Sequence, residues 1–344
     1  MGALERFTGQ SLAPGATVAV VANDAIGNFA AATPLLQMLQ MRGWRTELWS
    51  GSRVAELSQP SPLVDEHVEV LGAPVRQAWA HAAGRQPAMV FNMESTPWAK
   101  ALAGLAGEGG ALVCGPCCGA GGRGELPFPD DLRGDLWRDR QWASSDLPQR
   151  YPFLGSGHIS EVFCRLAYLD GAIPPYSFVS QPSPFPLPPV LVAMSASLPE
   201  KLWPLAKWKE ACAALQHAYG GVGLLGAARQ AQGQHWTGAE DEDRLVAECG
   251  VVDLRGRLTL PEVVHALARA QLVVTLDNGI LHLASAGEAP VVGLFRHGIH
   301  WLWCPHRPGL QAVVAEPGGA VGDIPVSRVL GAAGVPSCSG PPWP

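Results

Sequence analysis

At 344 residues the chain exceeds one ordinary domain and suits two of middling size, each able to bury a core. With a net charge of −6 and only four lysines, the chain has no Lys/Arg block to hold nucleic acid or an anionic membrane. No apolar run approaches a membrane span, and the opening residues lack the basic start and apolar core of a signal peptide, so the expectation is a cytoplasmic protein with no transmembrane segment.

In that compartment the eight cysteines are expected to be reduced. Only Cys114-x-x-Cys117-Cys118 has a spacing that suits a metal, and no second Cys or His pair stands near it.

After a loose lead-in over residues 1–16, residues 17–22 read as a buried strand. The glycine-containing turn Asn23-Asp24-Ala25-Ile26-Gly27-Asn28 follows, then a helix over 29–42. Pro34 either opens that helix behind Thr33 or kinks one that Asn28 caps. A strand at 46–49 completes a βαβ unit, and further apolar strands at 67–71, 88–92 and 111–114 alternate with helical segments at 75–83 and 98–105. This alternation predicts a parallel sheet with helices on both faces, with Asn92 and Glu94 at its carboxyl edge, where ligands of such sheets bind. From Gly115 to Gly157 the text is Gly, Pro, Arg, Asp and Trp without period, which reads as a long mobile excursion. Its Trp137, Arg138, Arg140 and Trp142 could stack on or bind a polar ring, or simply decorate the surface. A helix over 158–169 closes the domain.

Residues 173–189 hold seven prolines, which block helix and stiffen an extended chain. The expected organisation is a first domain over 1–175, a linker over 176–189 and a second domain over 190–344.

The second domain opens with a strand at 190–194, followed by Ser195-Ala196-Ser197-Leu198-Pro199-Glu200-Lys201-Leu202-Trp203-Pro204 and a helix over 205–219. Hydroxyls and loop N–H groups can bind phosphate oxygens, and Lys201 adds a positive charge beside them. Trp203 and Pro204 read as packing and helix-start residues. Strands at 223–225 and 251–254 alternate with helices at 240–249 and 260–270. A strand beginning at Leu272 then reaches the turn Asp277-Asn278-Gly279, a helix carrying His282 on its first turn, and a strand at 291–295. A helix N-terminus behind a glycine is a ready phosphate site. Beyond Phe295 come His297, His300, Trp301, Trp303 and His306, whose irregular spacing favours a cleft lining over a metal centre, then a helical piece near Val326.

Two stretches resemble glycosyltransferase family 9, the heptosyltransferases. The family's strand–Asp-Thr-Gly–His signature is matched by Asp277, Gly279 and His282, with Asn278 where Thr is usual. Its small-hydroxyl loop followed by Lys-x-Trp-Pro is matched by Ser195, Ser197, Lys201, Trp203 and Pro204. A third, N-terminal signature, Gly-Asp followed by Thr-Pro, appears as Gly27-Asn28 and Thr33-Pro34.

The resemblance implies a GT-B fold, two doubly wound Rossmann-like domains facing across a cleft. It also implies transfer of a heptose or related sugar from a nucleotide-diphosphate sugar, ADP-heptose above all, to an acceptor hydroxyl, by inversion and without a metal or other cofactor. Lys201, Ser195, Ser197 and the turn at Asn278-Gly279 would hold the donor, with Asp277 orienting sugar hydroxyls and His282 near the same mouth as a further donor contact. The family's general base is the aspartate at the position of Asn28, and an amide cannot take a proton, so the base would move to Asp24 or Glu94. The family's ribose-binding acid has no counterpart in Gly226-Ala227-Ala228-Arg229, with Glu240 a distant substitute. The charge balance points to a small soluble acceptor such as an amino sugar; the alternatives are a lipopolysaccharide core acceptor and, because Asn28 and Asn92 both stand where family members commonly carry Asp, a catalytically degenerate nucleotide-sugar binder.

Overall fold

The computed structural model describes residues 4–229 and 238–335. The chain divides into two compact units, Met1–Val179 and Ser180–Pro344, and the division falls inside the proline-rich segment.

In the first unit the strands are β1 Thr17–Val21, β2 Arg45–Gly51, β3 Glu66–Leu71, β4 Met89–Asn92 and β5 Leu112–Cys114. They form one sheet in the order β3-β2-β1-β4-β5, every pair parallel. Val18–Val21 and Met89–Phe91 are buried on both faces, as a helix-covered parallel sheet requires. The strand order reverses between β1 and β4, so the loops leaving their carboxyl ends part and leave a crevice.

The helix after β1 starts earlier than the sequence suggests, spanning Ile26–Met41 with Ala25 as N-cap, so Asn28 lies inside its first turn and caps nothing. Pro34 sits within this helix and cannot donate to the carbonyl of Ala30. The buried Thr33 hydroxyl supplies the missing bond, donating to Ala30 O at 2.9 Å.

The segment 115–157 is not the structureless excursion its composition suggests. It contains helices Leu132–Arg138 and Leu147–Arg150, with Leu136 and Leu147 fully buried. Trp137 stacks on Phe128 at 5.8 Å and tilts against Phe91, and Trp142 meets Phe163 edge-on. The Trp142 indole N–H donates to Leu136 O, Asp139 is held by Arg150 and the Tyr151 hydroxyl, and Arg138 pairs with Asp135. Both tryptophans are thus committed to packing, and Arg140 alone of the four expected ring-binders stays exposed without a role in it. A helix Ile159–Leu166 completes the unit.

The second unit holds β6 Val190–Ala193, β7 Val222–Leu224, β8 Val252–Asp253, β9 Leu272–Leu276, β10 Val291–Phe295 and β11 Leu310–Val314. Their order is β11-β10-β9-β6-β7-β8, again all parallel, with the reversal between β6 and β9. The helices Leu205–Tyr219 and Val326–Ala332 cover the sheet through Trp208, Leu215 and Val329. Trp203 is buried against Trp208 and donates to Ile324 O at 2.9 Å, a packing role. Strand β11 is absent from the sequence reading because it is an edge strand with Gln311 and Ala312 exposed, which breaks the apolar run.

No helix among the described residues is long and apolar enough to cross a membrane. Cys114 and Cys117 are buried, their thiols raised to about 12 and about 11 chiefly by desolvation, and Cys338 lies outside the described residues. No group of three or more His, Cys, Asp or Glu among the described residues could hold a metal ion.

Candidate functional site

Both reversals of strand order bring together residues that the sequence singles out. In the second unit β6 and β9 are neighbours, so the loop carrying Ser195, Ser197 and Lys201 lies beside the turn Asp277-Asn278-Gly279.

These two loops are tied by side chains. Lys201 Nζ donates to Asp277 Oδ2 at 2.7 Å and reaches Asp277 O at 3.4 Å. The pair is largely buried, with side-chain exposures of 17% and 7%, so the ammonium is fixed in place while still reachable from solvent. Asp277 therefore positions Lys201, a role that the sequence expectation of sugar orientation left out. Asn278 Nδ2 donates to Ser195 O at 3.0 Å, joining the loops a second time. Its Oδ1 accepts from Ile280 N, Leu281 N and the Thr275 hydroxyl. A threonine here could cap the helix but has no amide to reach Ser195.

That cap changes the expected phosphate chemistry. The helix Gly279–Ala284 is only six residues long, and Asn278 already occupies two of its first N–H groups. A short, capped helix offers little dipole and few free donors, so Lys201 and the partly exposed turn at Gly279 are the groups left to meet an anion. Ser197 is exposed beside them and Ser195 is buried. Arg296, at the end of β10, pairs with Glu200 at 3.4 Å and adds a second cation next to the Lys201 loop. Sequence reading missed it because no motif surrounds it.

His282 is not at the mouth. It is 3% exposed and packs edge-on against Trp303 at 5.9 Å. Desolvation pushes its pKa down to about 4, with Asp277 opposing and Lys201 assisting, so the imidazole is neutral near pH 7. His300 lies 4.3 Å from Trp301, and burial lowers its pKa as well.

On the ribose side, Glu240 is exposed in the first turn of the helix Ala239–Cys249. The neighbouring acids are already engaged: Arg255 gathers Glu242, Asp243 and Asp253, and Arg229 also pairs with Asp243. The hydrogen bonds that Arg255 donates to Asp253 chiefly hold its pKa above the ordinary value.

In the first unit the reversal joins the loops after β1 and β4. Glu94 Oε1 accepts from Asn23 N at 3.2 Å and from Asn28 Nδ2 at 3.3 Å. Asp24 instead faces Arg53 at 3.6 Å and lies so close to Gly51 that a Cβ there would meet it at 2.8 Å. Asn92 is fully buried, its Oδ1 accepting from Glu94 N and its Nδ2 donating to Glu94 O and Pro116 O.

Residues 173–318 match the family model for glycosyltransferase family 9 (heptosyltransferase). A curated relative, lipopolysaccharide heptosyltransferase 1 of Salmonella typhimurium (strain LT2), is 31% identical over 99 residues, a match spanning 28% of this chain and 28% of that enzyme. Among solved structures, a family 9 glycosyl transferase from Veillonella parvula superposes with a TM-score of 0.65 at 12% identity, covering 93% of this chain and 96% of that one. The E. coli ADP-heptose LPS heptosyltransferase II gives 0.64 at 17% identity, covering 92% and 97%. With two parallel α/β units, paired loops at the second unit's strand reversal and these likenesses, the chain has the GT-B fold, and its residues 173–318 are similar to the domain of glycosyltransferase family 9, the heptosyltransferases.

Proposed function

We propose that the protein transfers a sugar, with heptose the leading candidate, from an ADP-sugar to an acceptor hydroxyl with inversion at the anomeric carbon. The observation that carries this reading is the buried Lys201–Asp277 pair at the junction of the two loops. A cation held there by a carboxylate, not by solvent, is preorganised to offset the charge that develops on a departing diphosphate. Ser197, the Gly279 N–H and Ser195 supply further donors, and Arg296 a further cation. ADP-heptose is the donor of choice because the matched domain is that of the heptosyltransferases and the E. coli neighbour is an ADP-heptose enzyme. A carboxylate of the first unit would take the acceptor proton.

For the acceptor, charge favours a small soluble molecule over a phosphorylated lipid. Thirty acidic residues stand against 24 basic, and the sequence carries no basic cluster of the kind that holds an anionic bilayer. An amino sugar or aminocyclitol, being cationic, suits this balance. The test is mass spectrometry of products after incubation with ADP-heptose and either aminocyclitols or lipid A core. A heptosylated aminocyclitol supports the full reading. Transfer to lipid core alone overturns the acceptor class, and no transfer by a protein that binds ADP overturns catalysis in favour of a nucleotide-sugar binder.

A further inference from the structure

Asn28 and Asn92 both stand where the resemblance implies an aspartate, and taken singly each argues for a dead enzyme, since an amide takes no proton. Their contacts argue otherwise, because both asparagines grip the same residue. Asn28 Nδ2 donates to the Glu94 carboxylate at 3.3 Å, joined by Asn23 N at 3.2 Å. Asn92 holds the Glu94 backbone at both ends, accepting from its N–H at 2.9 Å and donating to its carbonyl at 2.9 Å, while a second amide hydrogen reaches Pro116 O at 2.7 Å. An aspartate at 92 could make only the first of these three bonds, since a carboxylate cannot donate to two carbonyls. An aspartate at 28 would put a second negative charge against Glu94.

We infer that Glu94 is the general base of this protein, with Asn28 and Asn92 as its positioning residues. The inference rests on the glycosyl-transfer reading above. Both bonds from Asn23 and Asn28 fall on Oε1, and Oε2 makes no hydrogen bond to any described residue. Glu94 is partly exposed at the carboxyl end of β4, beside the reversal of strand order where ligands of such sheets bind. The competing carboxylate, Asp24, is turned to Arg53 and packed on the Gly51 backbone. In the reaction the acceptor hydroxyl gives its proton to Glu94 Oε2, its oxygen forms a bond to the anomeric carbon, and the bond from that carbon to the diphosphate breaks, ADP leaving with the electron pair.

The experiment follows ADP release from ADP-heptose by the full chain, with aminocyclitols, lipid A core or water as acceptor, and ADP affinity by titration alongside. Glu94→Gln is expected to slow release about 10²- to 10⁴-fold with unchanged ADP affinity and melting temperature. Asn28→Ala should lower kcat about tenfold at constant KM, the loss of one bond to a charged group. Glu94→Asp should keep at least tenfold more activity than Glu94→Gln, and the acidic limb of the wild-type pH–rate profile should be absent in Glu94→Gln, a change that a purely structural Glu94 would not produce. Full activity of Glu94→Gln, or loss on Asp24→Asn with Glu94→Gln still active, overturns the assignment while leaving glycosyl transfer standing. A wild-type protein that binds ADP yet releases none from ADP-heptose with any acceptor overturns both.

Discussion

His282 shows how a residue in a signature can be read correctly in kind and wrongly in place. Its spacing behind Gly279 suggests a donor contact, but the six-residue helix turns it inward against Trp303, where only 3% of it is exposed. Its folded pKa of about 4 lies below the roughly 6.5 of an unfolded chain, so the unfolded state binds the extra proton between those values. Stability is therefore full above about pH 6.5 and is lost as pH falls towards 4, by about 2 kcal/mol between pH 7 and pH 5. Urea titrations at the two pH values should show this loss, and His282→Gln should flatten it; equal pH dependence in both proteins would place the imidazole in water. The Asn28, Asn92 and Glu94 contacts belong to the same scale. Composition reveals each departure from the family pattern, but only the fold shows that they converge on one carboxylate.

Ten of the eleven strands are legible from their apolar residues, most plainly central ones such as β1, β4 and β9, whose two faces are both covered and whose apolar runs are nearly unbroken. The eleventh, β11, is half exposed at an edge and gave none. The segment 115–157 was misread for a different reason: its order comes from aromatic contacts between residues far apart in sequence, such as Trp137 with Phe91 and Trp142 with Phe163, and periodicity cannot report those. The Pro34 helix gives a test at this scale. Thr33 stands in for the bond that Pro34 cannot make, and the Ala30 carbonyl beneath it is wholly buried. Thr33→Val keeps the shape and removes the donor, so it should cost about 1 to 3 kcal/mol in chemical denaturation. A change below a few tenths would mean that Ala30 O finds another partner.

At the scale of the whole molecule, each unit places its candidate chemistry at its own reversal of strand order, between β1 and β4 in one and between β6 and β9 in the other. The sequence could point to these loops because strand ends and turn residues are local features. It could not show that Lys201 and Asp277 pair, a contact between residues 76 apart. The net charge of −6 makes a further prediction. Co-sedimentation with anionic vesicles at low salt should recover no protein, since no cluster of Lys or Arg offers the roughly 1 kcal/mol per residue that such surfaces supply. Tight binding there would turn the acceptor assignment towards lipid. The central claim, that the twin loops of the second unit hold an ADP diphosphate through Lys201, is tested most directly by calorimetric titration of ADP, UDP and GDP into the wild-type protein and Lys201→Ala. The account predicts saturable binding that favours ADP and weakens by about 1.5 to 3 kcal/mol in the variant, as for one charge-assisted contact. Identical ADP affinity in the two proteins, or a preference for UDP or GDP, would contradict it.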